Sequence, residues 1–138
     1  MNISREVSSE FKAFSNQELY KFLNEVSGID FVMLCSSDGF ELALASKKNL
    51  DNTGKIAAVS SSILAMVSAF ISEIQLVGCQ TITLDAENGK VFLTAVNHPN
   101  NPMVLVAVTN KDILMGQMLY YVKKVTEVLA TTDIRKAS

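Results

Sequence analysis

The chain has 138 residues, the size of one ordinary domain with one core. Its hydrophobic fraction is 49% and its charged fraction 19%, against about 25% charged residues in typical soluble domains, so polar covering is scarce and an interface between copies is expected. The net charge of −2 gives no basic footprint, which argues against nucleic acid and anionic membranes as partners.

Residues 1–14 carry Arg5, Glu6, Glu10 and Lys12 and lack the continuous apolar stretch of a secretory signal, so the protein is expected in the cytoplasm with these residues as a flexible leading segment. Ser15 and Glu18 form a Ser-x-x-Glu capping box, and Leu19, Phe22, Leu23 and Val26 follow at helical spacing until Gly28, which predicts a first helix. Residues 29–36 are a nearly continuous apolar run, Ser37-Asp-Gly39 is a turn, and residues 40–45 return as a second strand. A polar loop over 47–54 leads into a long helical segment from Lys55.

Between Lys55 and Glu73 there are seventeen uncharged residues, the bottom of the range for a membrane span, and five of them are serine. Membrane insertion is therefore not expected. On a helical wheel Ile56, Val59, Ile63, Val67, Phe70 and Ile74 form a greasy stripe suited to a sheet. Ala57, Ser60, Ser61, Leu64, Ser68 and Ile71 form a flanking stripe, mostly of small residues, that allows close approach of a second helix. A third face of Ala58, Ser62, Ala65, Ala69 and Ser72 is small and uncharged, and it is a candidate docking surface for a partner protein.

Residues 79–86 and 90–96 flank Glu87-Asn-Gly89, a strong hairpin signal, and residues 103–109 make a further unbroken apolar strand. Asn110 is placed to cap a last helix whose face is Leu114, Met118, Tyr121, Val125 and Val128. The order is α-β-β-α-β-β-β-α. Continuous apolar strands need cover on both faces, so the first and fifth are interior and the hairpins then give the strand order 2-1-5-4-3. This leaves residues 79–86 as a free edge without Pro or Lys, the protections edge strands normally carry. Pairing of this edge with a second copy is expected, with Gln80, Thr81 and Thr83 in the interface.

Catalytic and metal chemistry find little support. Cys35 and Cys79 lie in apolar strand-like runs and read as buried free thiols. His98, the single histidine, sits in the turn Asn97-His-Pro-Asn-Asn-Pro102 and reads as a solvated loop residue. No GxSxG, GxxxxGK[ST] or GxGxxG occurs, so no catalytic, metal or cofactor residue is assigned.

The succession Val26-Ser-Gly-Ile-Asp-Phe-Val-Met-Leu34, Ser37-Asp-Gly39, the Ser/Ala-rich helix from Lys55 and Gly89-Lys-Val-Phe-Leu93 resembles the Roadblock / dynein light chain family, over residues 15–132 with 133–138 as a tail. The resemblance implies an α+β, three-layer α/β/α Roadblock (profilin-like) fold with a five-stranded, mainly antiparallel sheet. It further implies a dimer joined through third strands and second helices, acting as a non-catalytic platform. Bacterial members of the family often accompany Ras-like GTPases whose nucleotide cycle they regulate, so such a GTPase is the expected partner. The only arginines, Arg5 and Arg135, lie off the expected platform, which argues against an arginine finger supplied in trans. Two other readings stay open: a PAS- or GAF-type small-molecule sensor, with Tyr20, Tyr120 and Tyr121 as polar candidates, and a cytoskeletal or motor adaptor.

Overall fold

The computed structural model describes residues 7–78 and 81–133. Helix α1 spans Ser9–Glu25, strands β1 and β2 span Ile29–Ser36 and Glu41–Ser46, and helix α2 spans Thr53–Glu73. Strands β3, β4 and β5 follow over Thr81–Ala86, Gly89–Val96 and Met103–Thr109, and helix α3 comes next over Met115–Thr131. The sheet has the order β2-β1-β5-β4-β3 with every neighbouring pair antiparallel. That is the order derived from strand burial. β1 and β5 are buried along nearly their whole length, as central strands covered on both faces must be.

Alternation along the strands divides the core in two. Val32, Leu34, Phe92 and Leu105 point to one face, where α1 and α3 cover them with Phe11, Leu19, Phe22, Met118 and Leu129. Met33, Cys35, Val104 and Val106 point to the other, under α2. This second cluster is the smaller because a single helix covers its face.

Three local expectations are corrected. α1 begins at Ser9, not after Ser15: the Ser8 hydroxyl accepts the Phe11 N–H at 3.0 Å, and Ser15 is buried one turn further on with its own hydroxyl unpartnered. The earlier start wins because it places Val7 and Phe11 in the core. Asn110 does not cap α3, because its side chain accepts the Asp112 N–H in a tight turn and the helix starts only after Leu114. Consequently the buried face of α3 is Met118, Val122, Val125, Thr126 and Leu129, while Leu114 is exposed and Tyr121 and Val128 are half-buried. His98 is half-buried, not solvated, and its Nε2 bonds the Thr132 carbonyl at 2.9 Å, fastening the end of α3 to the β4–β5 loop.

α2 ends in a Schellman cap. The Leu76 N–H donates to the Ile71 carbonyl at 2.9 Å and the Gln75 N–H to the Ser72 carbonyl at 3.0 Å. Gln75 takes the left-handed position at φ +64°, where glycine is the usual residue.

Candidate functional site

The two edges of the sheet are treated differently. Along β2 lies α1, and the Asn16 Oδ1 accepts the outward Leu44 N–H at 3.1 Å, so a side chain occupies the position where another strand would bond. A register shift between Leu34 and Cys35 further distorts this edge. Among the described residues β3 has none of these devices. Its only charge, Asp85, is held by Lys90 at 2.7 Å, on the β4 side. From the register with β4, Thr81 and Thr83 point to the α3 face and Ile82 and Leu84 to the α2 face, where Leu84 is 41% exposed. Gln80 and Cys79 lie outside the described residues.

α2 meets the length and composition of a membrane span, yet it lies on the sheet with one face buried. That face reverses the expected orientation. Ala57, Ser60, Ser61 and Leu64, expected to meet a second helix, are the buried residues of α2 and rest on its own sheet. The cause is close approach. A Cβ built on Gly39, in the β1–β2 turn at φ +98°, would stand 3.2 Å from the Ala58 Cα, so helix and turn meet backbone to backbone. Only small residues fit beneath a helix held that near, and the Ser61 hydroxyl satisfies itself by donating to the Ser36 carbonyl at 3.0 Å. Ser68 is exposed and Ile71 half-buried, further along the helix.

The greasy stripe expected on the sheet is therefore rotated toward β3, and only Ile56 and Ile63 of it still pack against the sheet cluster. Val59, Phe70 and Ile74 are exposed, with Phe70 at 61%. Ile56, Val59 and Ile63 roof an open cavity of about 400 Å³ whose floor is Leu84, Val91 and Val108. The bare strand edge and the uncovered apolar helix flank thus adjoin one another. Sequence reasoning missed this because both stripes are uncharged, so polarity could not orient the helix.

On the opposite flank of α2, Ala58, Ser62, Ala65, Ala69 and Ser72 are all exposed. Ser62 folds its hydroxyl back onto the Ala58 carbonyl at 3.0 Å, which leaves a low surface with little free polarity. On the far side of the sheet, a groove of about 390 Å³ runs between α3 and β3–β4. The Thr81 and Thr94 hydroxyls on its floor bond one another at 3.2 Å and are not left seeking a ligand. Cys35 is buried, and desolvation, with a smaller contribution from the Glu41 carboxylate, pushes its thiol up to about 12, which keeps it protonated and unreactive.

An antiparallel five-stranded sheet in this order, with a helix pair on one face and one helix on the other, defines a three-layer α/β/α module of profilin-like architecture. The chain belongs to the Roadblock/LC7 family, whose sequence profile matches residues 15–109. No curated protein sequence matches it. Among solved structures it is similar to MglB of Myxococcus xanthus, with TM-score 0.79 at 15% identity over 89% of each chain. It is also similar to an MglB with a tetrameric arrangement, with TM-score 0.78 at 17% identity over 89% of each chain. A profilin from Schizosaccharomyces pombe superposes with TM-score 0.58 at 13% identity, over 86% of this chain and 95% of its own.

Proposed function

We propose that this protein is a non-catalytic homodimeric adaptor that binds a Ras-like small GTPase and regulates its nucleotide cycle. The observation that carries the reading is the bare β3 edge lying beside the uncovered apolar flank of α2. Pairing β3 with its own copy satisfies the free backbone groups and brings Ile82 and Leu84 of both copies onto the α2 face, where Val59 and Phe70 need cover. Ala57, Ser60, Ser61 and Leu64 then act indirectly, by setting the height of α2 above the sheet.

The exposed Ala58, Ser62, Ala65, Ala69 and Ser72 supply the docking face for the GTPase, on the flank of α2 away from β3. Its contribution is conformational: the adaptor holds the partner's own switch segments in one arrangement and supplies no arginine to the transition state. Membership of the Roadblock/LC7 family supports the partner class, and the shallow, uncharged face suits a protein partner better than a small ligand.

Ala65→Arg tests the reading. A long cation at the centre of a flat face adds steric and desolvation cost, while exposure of Ala65 leaves the protomer fold intact. The GTP hydrolysis rate of a Ras-like GTPase from the same organism is measured with and without the adaptor. The expected result is a rate changed by the native chain and unchanged by a folded, dimeric Ala65→Arg variant. Equal effects from both proteins refute the docking face.

A further inference from the structure

The cavity between α2 and the sheet is not uniformly apolar. Ser60 lines it and is 6% exposed, yet among the described residues its hydroxyl has no partner. The next two serines differ, since Ser61 donates to the Ser36 carbonyl and Ser62 to the Ala58 carbonyl. The Ser15 hydroxyl, also unpartnered, is sealed inside the core, whereas the Ser60 oxygen is not sealed and the cavity is the space it opens to. Asn52 and Lys55 line the same cavity at the end where α2 begins. The Asn52 side chain makes no capping bond, and the first turn of α2 carries no acidic residue. Among the described residues the ion pairs are Lys21–Glu18 and Lys90–Asp85, so the Lys55 ammonium has no carboxylate of its own.

We propose that this cavity binds a small apolar carboxylic acid as its carboxylate. The hydrocarbon body lies on the floor of Leu84, Val91 and Val108, and the carboxylate accepts the Ser60 O–H and pairs with the Lys55 ammonium. A volume of about 400 Å³ suits a small molecule, and such sites combine apolar walls with a few placed polar groups. The two polar groups decide the occupant. A second copy that covers Val59 and Phe70 from outside brings Ile82 and Leu84 to this face, and neither side chain offers Ser60 an acceptor or Lys55 an anion. An uncharged ligand answers Ser60 alone. A carboxylate has two acceptor oxygens and one negative charge, enough for both. Every lining residue belongs to one protomer, so the site does not depend on pairing through β3.

Isothermal titration calorimetry on the full chain tests the site, with decanoate below its micellar concentration as the probe and decanol as its uncharged counterpart. Ser60→Ala removes a hydroxyl that bonds nothing in the protomer, so thermal melting is expected to show an intact fold, while decanoate binding weakens about tenfold. Lys55→Gln is expected to weaken binding about threefold and to remove most of its salt dependence. Decanol is expected to bind wild type about threefold or more weakly than decanoate. No binding of decanoate to wild type, equal affinity for decanol, or undiminished affinity in both folded variants overturns the proposal. Thr83→Pro, which places a proline on the β3 edge, separates this site from the homodimer. It is expected to bind decanoate as wild type does, whatever its own state of association. Binding by Thr83→Pro but not by wild type would mean that a second copy fills the cavity, and the carboxylate site would be wrong.

Discussion

Replacing Phe70 with Ser isolates the role of the greasy flank of α2, because the ring lies in the C-terminal half of the helix and is 61% exposed in the protomer. A phenylalanine presents roughly 200 Å², so about 120 Å² of ring awaits cover. At about 25 cal/mol per Å², complete covering contributes about 3 kcal/mol per copy. If the interface covers only half of it, a symmetric dimer still loses about 3 kcal/mol across its two copies, or about 150-fold in Kd. In the protomer the cost is the small difference in helix propensity, a few tenths of a kcal/mol. The assay is sedimentation equilibrium across a concentration series, paired with thermal melting at a dilution where the native protein is monomeric. A folded Phe70→Ser protein that dimerises as tightly as the native chain would refute the assignment of this flank to self-association.

Gln75→Gly removes a side chain from the left-handed position of the α2 cap and is expected to stabilise the fold by about 1 kcal/mol, read as a rise of about 2–4 °C in thermal midpoint. A fall would mean that the Schellman geometry is absent. Gly89→Ala places a Cβ 2.6 Å from the Thr109 carbonyl oxygen, a backbone atom that cannot step aside, and is expected to cost about 1–3 kcal/mol in chemical denaturation. Cys35 holds its proton up to about 12 when folded, against 9.0 for a free thiol, so the unfolded chain ionises first and stability falls as pH rises between those values. Thiol-reactive probes at pH 8 are expected to leave Cys35 unlabelled until denaturant is added, and prompt native labelling at that residue would contradict its burial.

The sheet was legible in the sequence because strand signals are local. Residues 29–36 and 103–109 are unbroken apolar runs, and they emerge as the central strands β1 and β5 with the expected bounds. The Asn88-Gly89 turn placed β3 beside β4, and the strand order followed from burial combined with the hairpins. Helix faces were harder. Ser15 forms a capping pattern with Glu18, but Ser8 does the same work one helical stretch earlier, and only the tertiary position of Phe11 decides between them. In α2 every stripe is uncharged, so its orientation depends on the height of the helix above the sheet, where the turn at Gly39, nineteen residues earlier, comes close to Ala58. Ala58, Ser62, Ala65, Ala69 and Ser72 are exposed, as expected, because they lie on the flank that neither orientation buries.

The plugged β2 edge limits how far the sheet can grow. A sheet with two open edges can add subunits without end, as strand after strand joins in the manner of a fibril. Here the Asn16 side chain, held by α1 packed beside β2, blocks one side, and among the described residues β3 is the edge left to accept a neighbour. Two copies that meet through β3 each present a stopped edge to the outside, so strand addition terminates at the first event and its product has a fixed size. In the proposed dimer Asn16 would thus act as a chain terminator for a polymerisation that the apolar composition of this protein would otherwise favour.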